Sequence, residues 1–526
     1  MTRSEDALRP FRLTLACSRS VVVLAIVGAL ACGTPAKAQA NIVNSGGPIM
    51  QTSNVYLVFW LPPNNTFDSS VANGIGNYET LLTSFFEDVS PSTYFSVVGQ
   101  YSGTCSSNTC LVQNSSGSVR VGGTFVDTRA YAHADGTAAA GTNADPLLDA
   151  DIQHEVQSLI TQFGLSDGSN SEFFVYLGSG IQECMGAPAS GAECTFFNPL
   201  NVAHQAFCAY HSDFTDSNGG SAVYAVMPDA NSMGGGCNEG VVNSPNGQIA
   251  SDREVVLTTH EYFESVSDPL LNAWSSPAEI GDNCNQAVGA TQPDGSNVNL
   301  NAARFVVQQI WSNLTSSCSL GLPSLKLEVA TGGDDLRGDS SATISALSNV
   351  GATEQTFTLK PQNQPGFPNN SSYDQMFGFS GTATPLVGSI SITLTSHNSL
   401  FETNDNWNIQ GVVGQIVDSA GNFVCQFSAN GNPLVRLTGD VPTGNVSADG
   451  CAPPPSPPVC NPPSVLCGGA CVDLKTNRLH CGSCGNACRT GEACSNGICG
   501  CPAGTSLCCG GDLGCRKPGQ CPKQCP

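Results

Sequence analysis

The sequence predicts a multidomain chain: an α/β (α+β) N-terminal domain, an antiparallel β-sandwich and a small disulfide-rich C-terminal domain. Three observations point to it. The 526 residues exceed what one hydrophobic core serves. Near residue 322 the apolar pattern changes from alternating strand and helix periods to short runs separated by turn residues. Finally, 15 of the 26 cysteines crowd between Cys451 and Cys525. Only 12% of residues are charged, and a net charge of −23 with no basic patch excludes nucleic acid and anionic membrane surfaces as partners.

Residues 1–40 read as an export signal. Arg3, Arg9, Arg12 and Arg19 lead into the apolar Val21–Ala31, and Ala38-Gln39-Ala40 offers a cleavage site. Cys32 provides the competing lipoprotein reading. No later segment reaches the roughly 18 uninterrupted apolar residues of a transmembrane helix, so the expectation is a secreted, extracellular protein. Oligomeric state leaves no mark in the sequence.

Residues 41–321 form the α/β portion. Val55–Leu61 and Phe173–Leu177 are buried-strand runs, whereas Tyr78–Phe86 and Leu147–Phe163 repeat apolar residues at helical spacing. In an exported chain the cysteines read first as disulfides; spacing suggests Cys105–Cys110 and Cys184–Cys194, and Cys208–Cys237 and Cys284–Cys318 are the longer bridges expected, though spacing alone fixes none of them. A further helix is expected before Pro269, with Asp252 and Glu254 near its start and Val255, Val256, Leu257, Phe263 and Val266 on its apolar faces.

That helix carries the chemistry. His260-Glu261-Tyr262-Phe263-Glu264 reads HExxE, the opening of a zincin's HExxH with glutamate in place of the second histidine. Residues four apart share a helix face, so His260 and Glu264 can converge on one ion. Glu261 then stands where a zincin keeps its general base. Glu279 is the favoured third ligand, ahead of Asp268 and Asp282, and His211 is the candidate to replace the missing imidazole, against the plainer reading of a hydrogen-bonded loop histidine. Tyr210 or Tyr262 could face a developing oxyanion. His204 is a less supported ligand, and His154, followed by Glu155, reads as a solvated helix face.

Residues 322–450 form the sandwich, with expected strands at Leu325–Val329, Ala342–Leu347, Gln355–Leu359, Ile390–Leu394, Ile409–Val417 and Phe423–Phe427. Adjacent Asp334 and Asp335 suit a calcium ion, or simply an exposed acidic turn. Trp407 reads as core. A proline-rich linker, 451–463, leads to the cysteine-rich domain, 464–526, whose CxxC spacing in an exported chain indicates disulfides, not zinc.

Several ordered motifs resemble the EXORDIUM-like, phosphate-induced protein family: Phe207-Cys208-Ala209-Tyr210-His211-Ser212, Tyr224-Ala225-Val226, Cys237, Ser244-Pro245-Asn246-Gly247, His260-Glu261, Asp268-Pro269, Asn272-Ala273-Trp274 and Glu279-Ile280-Gly281-Asp282 before Cys284. The resemblance implies a secreted, disulfide-bonded α/β domain with a zincin-like helix. Plant members are associated with growth and cell-wall responses. The loops Thr331–Gly338 and Asp405–Asn408 resemble lipoxygenase-type β-sandwiches that attach to lipid, glycan or protein surfaces. Cys467-Gly468-Gly469-Ala470-Cys471, His480-Cys481-Gly482-Ser483-Cys484 and the cysteines that follow resemble the Stig1-like repeat.

The expected function is a metal-dependent, zinc-type peptidase acting on protein or peptide substrates, with C-terminal modules that contact a cell-surface glycan or protein. The competing expectation is a noncatalytic, cell-surface or wall-associated EXORDIUM-like binding protein. A glycan hydrolase built on paired carboxylates fits less well, because the acids cluster beside a histidine at metal spacing.

Overall fold

The computed structural model describes residues 40–67, 75–105, 108–186, 193–196, 204–205, 207–233, 237, 240–301, 303–348, 353–381, 384–385, 387–397 and 404–448, together with 460, 464–467, 470–477, 481–482, 493–501, 506–507 and 515–516 of the tail. The export signal with Cys32, nearly all of the proline-rich linker, and His480 lie outside the described residues.

Strands whose side chains are apolar on both faces need cover on both sides, and the central sheet meets that demand. Its strands are β1 (Ser53–Trp60), β2 (Val119–Asp127), β3 (Ser171–Leu177), β4 (Tyr210–Thr215) and β5 (Ser221–Met227), in the order β4–β5–β3–β1–β2. The β5–β3, β3–β1 and β1–β2 pairs are parallel, and β4 runs antiparallel to β5 along one edge. Alternation sorts β1 in the way its pleat requires. Val55, Leu57 and Phe59 join one core, while Tyr56, Val58 and Trp60 join another.

Helices α1 (Ile75–Asp88) and α3 (Ile249–Ser267) supply Phe85, Phe86, Val255, Tyr262 and Phe263 to the first core. Helix α2 (Asp149–Phe163) supplies Ile152, Val156, Leu159 and Ile160 to the second. α2 ends at Gly164, whose φ of 62° is the left-handed cap that favours glycine. α3 stops where expected, because Pro269 follows and Asp268 Oδ1 accepts the N–H groups of Asn272 and Ala273, each at 2.6 Å.

Beyond Leu322 the chain forms two antiparallel four-stranded sheets. The strands are β6 (Ser324–Thr331), β7 (Ser341–Ser348), β8 (Thr353–Lys360), β9 (Ser372–Gly378), β10 (Val387–Thr395), β11 (Trp407–Val417), β12 (Phe423–Leu437) and β13 (Thr443–Ser447). Their orders are β9–β6–β11–β12 and β8–β7–β10–β13. All six expected strand runs lie inside these elements. β12 continues ten residues beyond Phe427, because the polar Ser428-Ala429-Asn430-Gly431-Asn432 extends the strand without any apolar alternation to announce it.

One core is shared by the two sheets, and Trp407 lies fully buried in it with Nε1 donating to Thr331 Oγ1 at 3.2 Å. The sandwich is fastened to the preceding segment by Met376 N to Asn114 O at 2.9 Å and Ser116 N to Asp374 Oδ2 at 2.8 Å.

The protein is thus β-rich, with few helices and several disulfides. The four expected bridges all form, and Cys460–Cys471 and Cys481–Cys494 staple the tail. Cys425 is disulfide-bonded as well. Among the described residues no helix is long and apolar enough to cross a membrane.

Truncating Trp407 to alanine removes the largest buried side chain of the sandwich. An unfolding transition monitored in urea should lose about 3–5 kcal/mol, and a loss below 1 kcal/mol would contradict its central position.

Candidate metal centre

Three segments bring the candidate ligands together. α3 supplies His260, Glu261 and Glu264 from consecutive turns of a helix that is buried along most of its length. The edge strand β4 supplies His211, and the loop after α3 supplies Glu279 and Asp282. Disulfides close two of these segments near the cluster. Cys208–Cys237 lies three residues before His211, and Cys284–Cys318 two residues after Asp282.

Glu264 is the centre of the arrangement. Its Oε1 faces His260 Nε2 at 3.2 Å and accepts the Asp282 N–H at 2.8 Å, while its Oε2 faces His211 Nδ1 at 3.6 Å. On the far side of His211, Nε2 lies 3.5 Å from Glu279 Oε1. His260 Nε2 is also 3.7 Å from Asp282 Oδ1. Two groups therefore have donor atoms mutually within 4.8 Å: His211, Glu264 and Glu279, and His260, Glu264 and Asp282. Glu261 belongs to neither group. Its Oε2 lies 3.4 Å from His211 Nδ1.

Among the described residues no lysine or arginine forms an ion pair with these acids, so the two imidazoles answer them. Burial opposes charge on His260, but Glu264, Glu261 and Asp282 outweigh it and push the imidazole up to about 10. The same contest holds His211 well above its ordinary value, with Glu279 the strongest attraction. Burial pushes Glu279 up to about 8 and raises Glu261 and Asp282. Burial also works against Glu264, yet His260 and His211 hold it below the ordinary carboxylate value. Protons thus stand at donor atoms for which a divalent cation would compete.

Two residues that the sequence reading passed over shape the site. Gln308 lies buried behind His260 and contacts its Nδ1, while its Nε2 donates to Gly281 O at 3.0 Å and its Oε1 accepts the Gln286 N–H at 2.6 Å. With the Gln308 amide oriented by those two bonds, His260 Nδ1–H can donate to Oε1 at 3.2 Å, which aims Nε2 at Glu264: protonated, it donates to that carboxylate, and deprotonated, it offers a lone pair to a cation held between them. The available signal was the pair Gln308-Gln309 inside the otherwise apolar run Phe305–Ile310. Gly281 is needed for space: a Cβ there would stand 2.7 Å from Glu264 Oε1 and 3.0 Å from the His260 ring.

The remaining candidates sit elsewhere. Asp268 is spaced onto the correct helix face, but the helix ends at Ser267 and the carboxylate is turned to cap the following turn. Tyr210 cannot face an oxyanion at this cluster, because its hydroxyl lies 2.9 and 3.0 Å from Asp149 and Glu183, which compete for its single proton. Tyr262 is likewise withdrawn, packed in the core among Phe86, Phe95 and Phe174. His204 lies on a short strand paired with Glu193-Cys194, and His154 is exposed on α2. In the sandwich, Asp334 Oδ2 faces Arg436 at 3.2 Å. A cleft of about 370 Å³ opens over the cluster, bordered by Cys208, Cys237, Leu257, His260, Glu261 and Asp282.

Residues 445–502 match the Stigma-specific STIG1-like protein family. The chain is also similar to two Arabidopsis thaliana proteins. Protein EXORDIUM-like 5 is 33% identical over 100 residues, 15% of this chain and 28% of that protein, and Protein EXORDIUM-like 3 is 30% identical over 97 residues, 15% and 29%. The chain therefore spans less than a third of the length of these relatives. Among solved structures, a calcium-dependent 11R-lipoxygenase aligns at 20% identity over 24% of this chain and 17% of its own, with a TM-score of 0.17, too slight a likeness to carry an argument.

Adding one methyl at position 281 should displace the Glu264 carboxylate or the His260 ring. Gly281→Ala is expected to cost about 1–3 kcal/mol in thermal or urea unfolding. A neutral result would mean that the loop moves aside freely.

Proposed function

We propose that this is an exported EXORDIUM-like protein of the cell surface or wall, noncatalytic, in which the cluster around Glu264 holds a divalent cation. Zinc suits the mixed imidazole and carboxylate donors. The residues fit such an ion on two counts: His211 Nε2 and Glu279 Oε1 are buried without hydrogen-bond partners, and the acids lack any lysine or arginine among the described residues. The cation would tie β4 and the 279–284 loop to α3. The sandwich and the cysteine-rich tail would then serve attachment to a surface glycan or protein, with calcium at Asp334 and Asp335 an additional contact to such a surface.

The engagement of Glu261 carries the noncatalytic reading. Glu261 is buried and its Oε2 faces His211 Nδ1 at 3.4 Å, outside both sets of donors, so in this arrangement its carboxylate is occupied by the neighbouring imidazole. The withdrawal of Tyr210 and Tyr262 points the same way.

A second reading, a zincin-like metallopeptidase, is favoured by one observation: the cleft reaches His260, Glu261 and Asp282 from solvent. In that reading His260, Glu264 and Asp282 would hold the metal, which when bound supplies Lewis acidity. Glu261 would accept a proton at its carboxylate, and the cleft would seat the peptide.

Metal analysis of the secreted full-length protein, combined with a peptide-library digest, separates the two. Stoichiometric divalent metal and no cleavage by either wild type or Glu261→Gln is the expected result. Cleavage by the wild type, lost in Glu261→Gln with metal retained, would establish the peptidase instead. A metal-free wild type would overturn both.

Stripping the cation with a chelator should lower the thermal midpoint by roughly 5–10 °C, the shift expected when a ligand near 100 times its Kd is withdrawn. An unchanged midpoint would argue against a cation that ties these segments together.

A further inference from the structure

Glu264 presents its two oxygens to two different histidines. Oε1 faces His260 Nε2, and Oε2 faces His211 Nδ1. Glu264 is the residue common to two sets of donors, since Glu279 accompanies only His211 and Asp282 only His260. This is the disposition of a bridging carboxylate, which joins two cations spaced about 3.5–4 Å apart in two-metal sites. Resting on the cation-binding reading above, we propose that the cluster is a dinuclear centre for two first-row divalent ions, with Glu264 as the bridge.

Three considerations favour two ions over one. A single cation on His260, Glu264 and Asp282 would leave His211 Nε2 and Glu279 Oε1 buried beside it, facing each other at 3.5 Å without a hydrogen bond. The His211 side chain is only 2% exposed, and neither its Nε2 nor Glu279 Oε1 has a hydrogen-bond partner. Orphaned polar groups of this kind each cost on the order of 1–3 kcal/mol. A second ion on the Nε2 side of His211 would use both, with Glu264 in the same set of donors.

Charge leads to the same count. Glu261, Glu264, Glu279 and Asp282 bring four carboxylates within reach of the two imidazoles. Two divalent cations balance them when all are ionised, whereas one leaves half of that charge uncompensated in a buried site.

The donor sets differ in access, which gives the two ions distinct character. The His211 position is enclosed by β4 and α3, while Asp282, with a side chain 54% exposed, borders the cleft. The ion beside His260 is therefore the one that exchanges with solvent, and the ion beside His211 is the more slowly exchanging of the pair. The HExxE spacing contains the bridge and one terminal ligand, so a glutamate in place of the second histidine of HExxH is what makes bridging available.

The test is metal stoichiometry on the full-length, disulfide-bonded protein after equilibration with Zn2+ and gel filtration, together with electron paramagnetic resonance of the Mn2+-loaded form. Two equivalents of zinc are expected per chain, falling to one in Glu279→Gln, and the wild type with two Mn2+ should show the many-line spectrum of exchange-coupled ions. One equivalent in the wild type overturns the dinuclear centre and leaves the cation-binding reading standing. No zinc overturns both. Two equivalents with uncoupled Mn2+ place the second ion elsewhere in the chain and also overturn the proposal, a result independent of whether any variant folds.

Discussion

A cluster of carboxylates on a buried helix is the constraint to which the rest of the N-terminal portion answers. Glu261 and Glu264 lie inside the core, where an uncompensated charge would cost several kcal/mol. The surrounding structure is arranged to lower that cost. His260 and His211 approach from two elements, the Asp282 amide donates directly to Glu264, and Gln308 holds the His260 ring from behind. The parallel sheet gives this arrangement a stable base: β5, β3 and β1 bury their apolar side chains between helices, and β4 along the edge presents His211 toward α3.

What could be read in the sequence follows from how local each signal is. Helix α3, its end at Pro269 and the approach of His260 to Glu264 depend on spacing within one element, and spacing is written in the chain. The close pairs Cys105–Cys110 and Cys184–Cys194 were similarly legible from their spacing, whereas Cys208–Cys237 and Cys284–Cys318 each had other partners open to them. Asp268 shows where spacing misleads. It occupies the correct helical phase, yet the proline after it removes the helix that would have held it in place. Gln308 and Gly281 escaped notice for a different reason. One acts through an ordinary amide 48 residues from the histidine it touches, and the other through a side chain that is not there. His211 was nameable as a candidate but not placeable, since its approach depends on β4 pairing with β5.

The sandwich presents the opposite case. Most of its strands alternate cleanly because one face of each sheet is apolar core and the other meets solvent or polar neighbours, so pattern alone located six of the eight; β9 and β13, whose burial does not alternate cleanly, escaped it. Its attachment to the preceding segment was invisible for an equally physical reason: Asn114 and Met376 meet through backbone groups, which every residue carries. The polar stretch of β12 was lost in the same way, held in its strand by pairing and not by burial.

The two disulfides flanking the cluster have a consequence for biogenesis. His211 and Asp282 are carried by segments closed through Cys208–Cys237 and Cys284–Cys318. While the thiols are reduced, these segments are not tethered, and the acids on either side of α3 can remain hydrated. Oxidation on export would gather them and strip their water in the same step. For an exported, cation-holding protein as proposed above, the cluster would then come into being only after the chain has left the reducing cytosol, and the ions it meets first would be those of the exterior.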